Sequence, residues 1–437
     1  MRDILVTIVV FCSLPLIFKR PYWGPALWIW ISVMNPHAQG WGFARSFPFA
    51  AIIAATVLLS LVVYKGDKKL PVVPVTVVFM CFMALMCVTS LFAIHPDLVY
   101  TQWNKVMKIF GMTLIVIMLM KERKHIEMAI WSIVISLGYY GVKGGIFTIK
   151  SGGADRVWGP AGTFIEGNNE VALALIMVIP LMFYLMKITS NKWGRYAFMA
   201  SMGLCAFASL GSYSRGALLA IAAMAGFLWL KSKEKLTVGL VLVLLVPVML
   251  LAMPQQWHSR MDTIGEYKAD ESAMGRVNAW HMATNLAMDR PLGGGFEIYD
   301  AGVFARYAPV PEDIHAAHSV YFQVLGEHGF LGLFLYLSIG FLTWRSGSWV
   351  IKNSKLDPEL KWAAELVPLL QVSLLGFAVG GAFLSLAYFD VPYYVMAAMV
   401  ATRLVVERHL KVSRDVAKAE ATAQRLTGAT PQKVSNG

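Results

Sequence analysis

Residues 170–187 read Glu170-Val-Ala-Leu-Ala-Leu-Ile-Met-Val-Ile-Pro-Leu-Met-Phe-Tyr-Leu-Met-Lys187, with no charged side chain between the two ends. A helix rises about 1.5 Å per residue, so an apolar segment of this kind is close to the length that crosses the hydrocarbon core of a bilayer. Similar apolar runs recur along most of the chain. The sequence therefore predicts a helical membrane protein that crosses the bilayer many times.

The composition agrees with a membrane location, since 57% of the 437 residues are hydrophobic and 15% are charged. The mean hydropathy is +0.59. Soluble domains are about 45–50% apolar and about 25% charged. These values exclude a soluble globular protein, a disordered chain and a disulfide scaffold. The four cysteines lie inside apolar runs and form no Cys-x-x-Cys pair, so neither a disulfide framework nor a zinc site is indicated.

Thirteen apolar runs are candidates for membrane-spanning helices. The first two are short enough to form a hairpin that does not fully cross, so we expect an all-α polytopic fold with about twelve spans. The runs cover residues 4–18, 22–35, 47–64, 74–94, 106–120, 127–147, 170–186, 196–211, 216–230, 236–253, 318–344, 363–385 and 391–407.

Lysine and arginine are concentrated in short loops that fall on one side of successive runs. Such loops face the cytoplasm in bacterial membrane proteins. The net charge of +12 then reflects topology and contact with anionic lipid rather than binding of nucleic acid. We therefore expect a multi-pass protein of a bacterial inner membrane. The basic loops are 65–69, 121–124, 187–195, 231–235, 345–361 and the tail from residue 403.

The longest segment on the opposite, periplasmic side contains the predicted start of a helix. Residues from Ser272 to Trp280 have apolar side chains at helical spacing, and the glycines after Pro291 supply a stop. We expect a structured loop rather than a simple connector. The predicted domains are N-terminal transmembrane helices over 1–253, the periplasmic loop over 254–317, C-terminal transmembrane helices over 318–407 and a cytoplasmic tail over 408–437.

Several basic residues lie on the outer side, where the positive-inside rule predicts few. An isolated arginine at the end of a span can simply extend to lipid headgroups. Several arginines that converge would instead clamp phosphate oxygens, because the planar guanidinium group matches them with paired hydrogen bonds. The outer basic residues are Lys105, Arg156, Arg215, Arg260, Arg276, Arg290, Arg306, His315 and His318.

Arg215 and Arg276 stand out because each lies near a predicted helix start. Arg215 is in Ser212-Tyr-Ser-Arg-Gly-Ala217, and Arg276 follows Gly275. The positive end of the helix dipole and the free backbone N–H groups of the first turn favour an anion at such a position. Two such positions that face one cleft would suit a diphosphate.

Two further groups of outer residues leave alternatives open. The Gly-rich segment from Arg156 to Asn169, which includes Asn168, either approaches a ligand closely or is an ordinary connector. His315 and His318 are one helical turn apart, but no further ligands accompany them, so we expect no metal site. His318 either caps a helix or acts as a general base, a role for which its ordinary pKa of about 6.5 is suitable.

The sequence lacks the motifs of several enzyme classes. It has no G-x-S-x-G, no Walker loop and no H-E-x-x-H. These absences argue against an intramembrane protease of the rhomboid or zinc type and against an ATP-driven pump. No acidic pair stands out in the outer loops, which argues against a glycosyltransferase that uses a metal-bound nucleotide sugar.

The pattern that begins at His318 resembles the signature of the O-antigen ligases. That signature is a His followed by Asn, Ser or Gln, nine residues, Gly, two residues, then Gly, Thr or Tyr; here it reads His318-Ser319, nine residues, and Gly329-Phe-Leu-Gly332. The turn Ser214-Arg-Gly-Ala217, Gly275-Arg276 in the long outer loop and the spans after that loop are also similar to the wider ligase and polymerase superfamily. Residues 34–37 and 321–330 resemble a subgroup of ligases found beside exosortase systems.

The resemblance implies a membrane glycosyltransferase of the GT-C type. Such an enzyme takes a glycan from undecaprenyl diphosphate and joins it to a sugar hydroxyl of the lipid A-core, without a metal or another cofactor and with inversion. By position, His318 would be the general base, and Arg215 and Arg276 would hold the diphosphate. The residues expected to contact substrate around them are Arg156, Lys105, His315, Arg260 and Asn168.

Three alternatives stay open at this point. An O-antigen polymerase uses the same donor with a glycan on a second carrier lipid as acceptor, and a protein O-oligosaccharyltransferase transfers to Ser or Thr. A transporter of lipid-linked glycans would be expected to have ionisable residues at mid-membrane, whereas here they lie at the outer ends of the runs. The sequence leaves the oligomeric state open and is compatible with a monomer.

Overall fold

The computed structural model describes residues 1–231, 235, 236, 239, 240, 243, 244, 247, 251, 253–262 and 271–427. Within these residues the chain forms α-helices joined by loops and short 3-10 turns, with no β-strand. The predicted all-α class is therefore confirmed for this part of the chain. Most of the candidate span at 236–253 lies outside the described residues.

The helices are numbered in chain order along the described residues. The first group is α1 (Arg2–Lys19), α2 (Trp23–Met34), α3 (Phe49–Val63), α4 (Pro74–Leu91), α5 (Pro96–Leu119), α6 (Arg123–Lys150), α7 (Asn168–Ile188), α8 (Lys192–Leu210) and α9 (Arg215–Lys231). The second is α10 (Gln255–Asp262), α11 (Glu271–Asp289), α12 (Ala301–Tyr307), α13 (Val320–Ser354), α14 (Lys361–Gly380) and α15 (Asp390–Thr427). Short 3-10 turns cover Pro36–Gln39, Phe43–Arg45, Pro358–Leu360 and Gly381–Phe383.

Five of the described helices are long and apolar enough to cross a bilayer. They are α4, α6, α7, α13 and the continuous unit Pro358–Phe383 that contains α14. Two shorter helices, Phe49–Val63 and Arg215–Leu230, are also apolar. The chain is accordingly a multi-pass membrane protein. The expected total of about twelve spans stays a prediction.

Helix α7, which contains the apolar segment quoted first, is the most enclosed of these five. Within its most apolar stretch, 72% of the residues are buried inside the protein. Helices α6, α8 and α14 pack around it. The Ser373 hydroxyl of α14 donates a hydrogen bond of 2.8 Å to the Met177 carbonyl of α7. A helix that is apolar on every side is suited to a position with protein on all sides.

Glycines on α6 allow α8 to approach closely. A Cβ placed at Gly144 would lie 3.1 Å from the Cβ of Ala208, and one placed at Gly145 would overlap the carbonyl oxygen of Leu204. Small residues are enriched where membrane helices meet, because they let the backbones come into van der Waals contact. The α6–α8 interface is built on this contact.

We expect Gly145→Ala to lower thermal stability, because the new methyl group overlaps backbone atoms of Leu204 and would push α8 away. Overpacking of this kind costs about 1–3 kcal/mol. Gly111→Ala on α5 is the matched control, since no atom beyond the adjacent backbone of its own helix lies within 4 Å of a Cβ placed there. That change should stabilise its helix by about 0.5–1 kcal/mol. Thermal unfolding in detergent measures both, and an unchanged midpoint for Gly145→Ala would contradict the close contact.

Helix α13 is broken at Gly329, which has φ +67°. The carbonyls of Gly326 and Glu327, just before the break, accept hydrogen bonds of 2.9 and 2.8 Å from the N–H groups of Gly294 and Gly295. A Cβ at Gly329 would overlap the carbonyl oxygen of Pro291. The helix stop predicted after α11 is confirmed, and the turn that forms it inserts into the break in α13.

Candidate active site

The turn before Arg215 joins α8 to α9. Tyr213 takes the left-handed conformation with φ +61°. The Ser214 hydroxyl then accepts a hydrogen bond of 3.1 Å from the N–H of Ala217, as an N-cap residue does. Arg215 is the first residue of α9, so the predicted helix start at this arginine is confirmed. Its side chain begins at the positive end of the helix dipole.

The segment 156–169 folds over this turn. The Asn168 side-chain amide donates a hydrogen bond of 2.7 Å to the Ser212 carbonyl, and the Val157 N–H donates one of 3.0 Å to the Gly211 carbonyl. The Arg156 guanidinium carbon lies 5.6 Å from the centroid of the Tyr213 ring. Arg156 and Asn168 are therefore neighbours of the turn that leads to Arg215, and the Asn168 amide fixes the loop to that turn.

Arg276 lies in the second turn of α11, between α7 and the segment that precedes α13. Its positive charge interacts with the carboxylate of Glu170, in the first turn of α7, and with the imidazole of His318. The neighbouring Gly275 lies against the ring of His315, since a Cβ at this glycine would be 2.6 Å from His315 Nδ1. Arg276, His315 and His318 thus form one cluster.

His318 lies outside the membrane-spanning helix, two residues before α13 begins. Its backbone has φ +40°, and its N–H donates a hydrogen bond of 3.0 Å to the Ser385 hydroxyl. Its Nδ1 atom is buried and has no hydrogen-bond partner among the described residues. An unpaired buried ring nitrogen is costly in a folded protein unless a ligand or water pairs with it.

The electrostatic surroundings keep the His318 ring neutral. Burial lowers the pKa of the imidazole to about 4, and the charges of Arg276 and of protonated His315 act in the same direction. At neutral pH the ring therefore carries one free lone pair, which is the form that accepts a proton. The His315 Nδ1 atom is 2.8 Å from Asp313 Oδ1. Among the described residues, no group of three His, Cys, Asp or Glu side chains could hold a metal ion.

Lys105 lies on α5 beside a different part of the same loop. Its ammonium nitrogen is 3.7 Å from the centroid of the Phe164 ring, and its charge interacts with the carboxylates of Asp390 and Glu297. Asp390 is buried and accepts a hydrogen bond of 2.8 Å from the Ser32 hydroxyl. Sequence reasoning passed over both acidic residues, although an acidic residue at the start of the apolar run 391–407 was a usable signal.

The first turn of α7 joins the two groups of candidate residues. Asn168 bonds to the turn before Arg215, and Glu170, two residues later, interacts with Arg276. Arg215 and Arg276 therefore each have a neighbour in one helical turn. Arg260 belongs to α10, but its side chain lies outside the described residues.

Two family models match the chain. Residues 1–190 match a family of unknown function (DUF5935), and residues 200–337 match the family described as O-antigen ligase. No curated protein matches the chain. The second match includes Arg215, Arg276 and His318, and it supports a place for this chain in the O-antigen ligase and polymerase superfamily, with activity of that general type.

Proposed function

We propose that the protein is an O-antigen ligase of the inner membrane with its active site on the periplasmic face. It transfers a glycan from undecaprenyl diphosphate to a sugar hydroxyl of the lipid A-core, with inversion and without a metal. The proposal includes the GT-C architecture of about twelve spans and the exosortase-associated subgroup. The observation that carries it is the buried, unpaired Nδ1 of His318 beside the charge of Arg276.

In this reaction His318 accepts the proton of the acceptor hydroxyl as its oxygen attacks the anomeric carbon. The bond from that carbon to the diphosphate breaks, and the diphosphate leaves with the electron pair. Arg276 and Arg215 offset the charge that develops on the leaving group, an effect that is strong where water is excluded. Attack from the face opposite to the leaving group inverts the anomeric centre. The proton then passes from His318 to water.

Binding of the donor would change the pKa of the general base, His318. In the free protein, the charge of Arg276 contributes to the lowered pKa of His318. A diphosphate bound to Arg276 adds negative charge near the ring, which favours the protonated imidazole and raises its pKa. General bases work best when the pKa lies near the working pH. Donor binding therefore improves the base that the reaction needs.

We expect the pH dependence to show this adjustment. The value of kcat/KM should be lost only as the pH falls towards about 4, the pKa of His318 in the free protein. The acid limb of kcat, which reports the donor complex, should lie at higher pH. Replacing Arg276 with Gln removes a positive charge from His318 and should move the limb of kcat/KM upwards. The coupling of His318 to Arg276 and the donor would be contradicted if the acid limbs of kcat and kcat/KM coincide in the wild type. It would also be contradicted if the acid limb of kcat/KM does not move in Arg276→Gln.

An apolar cavity supports a lipid-linked donor. It has a volume of about 350 Å³ and lies between α13, α14 and α15, lined by Tyr321, Tyr336, Phe341, Trp344, Phe377 and Met396 among others. Tyr321 follows His318 by less than one helical turn. A polyprenyl chain in this cavity would keep its diphosphate near the base.

We expect Gly340→Leu to raise KM for the undecaprenyl donor, since Gly340 lines the cavity and has no heavy atom within 4 Å of a Cβ placed there. The leucine would displace a few CH₂ groups of the polyprenyl chain from the cavity, at about 0.8 kcal/mol each, which corresponds to an increase in KM of roughly tenfold or more. A donor with a short prenyl chain should be unaffected. Gly111→Leu on α5 is the control. If Gly340→Leu raises KM equally for donors with long and short prenyl chains, the polyprenyl chain does not bind in this cavity.

The decisive test is transfer by the purified protein in the presence of EDTA. His318→Ala should reduce kcat by about 10²–10⁴, the contribution of a general base. Arg215→Ala should cost about 10²–10³, as loss of one stabilising donor does. Arg306→Ala is the matched control, because this exposed arginine pairs with Asp289 instead of joining the cluster.

The acceptors offered in the same assay separate the related activities. Lipid A-core, a glycan on a second carrier lipid and a Ser- or Thr-containing protein are supplied in turn with one donor. Transfer to lipid A-core alone supports the ligase. Product on the second carrier lipid or on the protein would move the assignment to a polymerase or an oligosaccharyltransferase. Full activity of His318→Ala would refute the general base.

A further inference from the structure

The backbone of His318 is held in a conformation that histidine seldom adopts. Its φ of +40° lies in the left-handed region. A non-glycine residue there costs of order 1–3 kcal/mol and keeps the conformation only when its surroundings impose it. The Ser385 hydroxyl, 3.0 Å from the His318 N–H, is the acceptor that fixes this peptide. The direction of the imidazole depends on that peptide.

The segment that carries Ser385 is itself anchored to α13. The Ala387 N–H donates a hydrogen bond of 3.2 Å to Gln323 Oε1, and the Tyr388 hydroxyl donates to the Glu327 carboxylate. Gln323 and Glu327 are four residues apart and share one face of the helix. All four residues are buried. The segment cannot shift along α13 without leaving buried polar groups unpaired, so the Ser385 hydroxyl is a fixed point.

We propose that Ser385 is a positioning residue for His318. Its hydroxyl accepts a hydrogen bond from the His318 N–H and so imposes the left-handed backbone at His318. That backbone aims the imidazole at the acceptor hydroxyl, and Ser385 itself does not touch the substrate. This inference rests on the proposed role of His318 as general base. Misplacement of a catalytic group by about 1 Å can lower the rate by about 100-fold.

The test compares kcat and KM in variants at this position. Ser385→Ala should lower kcat at least about tenfold and leave the donor KM unchanged, because proton transfer depends on geometry and donor binding does not. Ser385→Cys keeps the volume but offers only a weak acceptor, so it should show the same loss. Ser385→Thr retains an oxygen acceptor and should stay within about threefold of wild type.

Ser373→Ala is the control for the loss of a hydroxyl that bonds one segment to another. Ser373 lies on α14 and bonds to the Met177 carbonyl, away from His318. Because Ser373 is buried and Ser385 is half-buried, removal of the Ser373 hydroxyl should lower the unfolding temperature at least as much as Ser385→Ala does, yet leave kcat unchanged. If Ser385→Ala unfolds, Ser385→Cys supplies the same comparison with the volume kept.

A double variant shows whether Ser385 acts through His318. In the His318→Ala background, Ser385→Ala should cause no further loss of residual transfer, since there is no imidazole to aim. A further loss equal to that in the wild type would overturn the proposal. So would an unchanged kcat for Ser385→Ala in an active protein. Absence of transfer by the wild type to every acceptor would instead refute the proposed function.

Discussion

The hydrogen bonds beside the break in α13 connect the segment that follows α11, the helix of Arg276, to the helix that follows His318. A helix in a bilayer has no water to satisfy its backbone groups, so an interruption survives only where protein supplies the partners. Here the N–H groups of Gly294 and Gly295 bond to carbonyls beside the break. Because these glycines lie in the turn that ends α11, the same bonds fix α11 to α13. They thereby fix Arg276, on α11, relative to His318, which leads into α13.

Charged and titratable side chains surround this junction. Arg276 and His315 lie beside His318, and Glu170 provides a negative charge on the side of α7. Burial and the charge of Arg276 disfavour a protonated His318, which is why its ring stays neutral in the free protein. In the proposed reaction a lipid diphosphate is the ligand of this cluster, and the apolar cavity next to Tyr321 holds its polyprenyl chain.

Rigid packing supports the site from two further directions. Glycines of α6 pack closely against α8, and the end of α8 leads through the Ser212–Ser214 turn to Arg215. The segment after α14 is bonded to one face of α13 and presents Ser385 to His318. Arg215 and His318 thus project from a helix start and a turn whose backbones are held by hydrogen bonds, which is how a site obtains a defined geometry.

The sequence by itself determined the membrane-spanning helical class, the helix start at Arg215, the stop after α11 and the candidate residues His318, Arg215 and Arg276. Hydropathy, capping and glycine content are local properties, so they can be read along the chain. The tertiary structure alone decided that Gly329 breaks a helix around the 293–295 turn, that Asp390 and Glu297 face Lys105, and that Ser385 holds His318. These residues are far apart in sequence, and only the packing of whole helices brings them into contact.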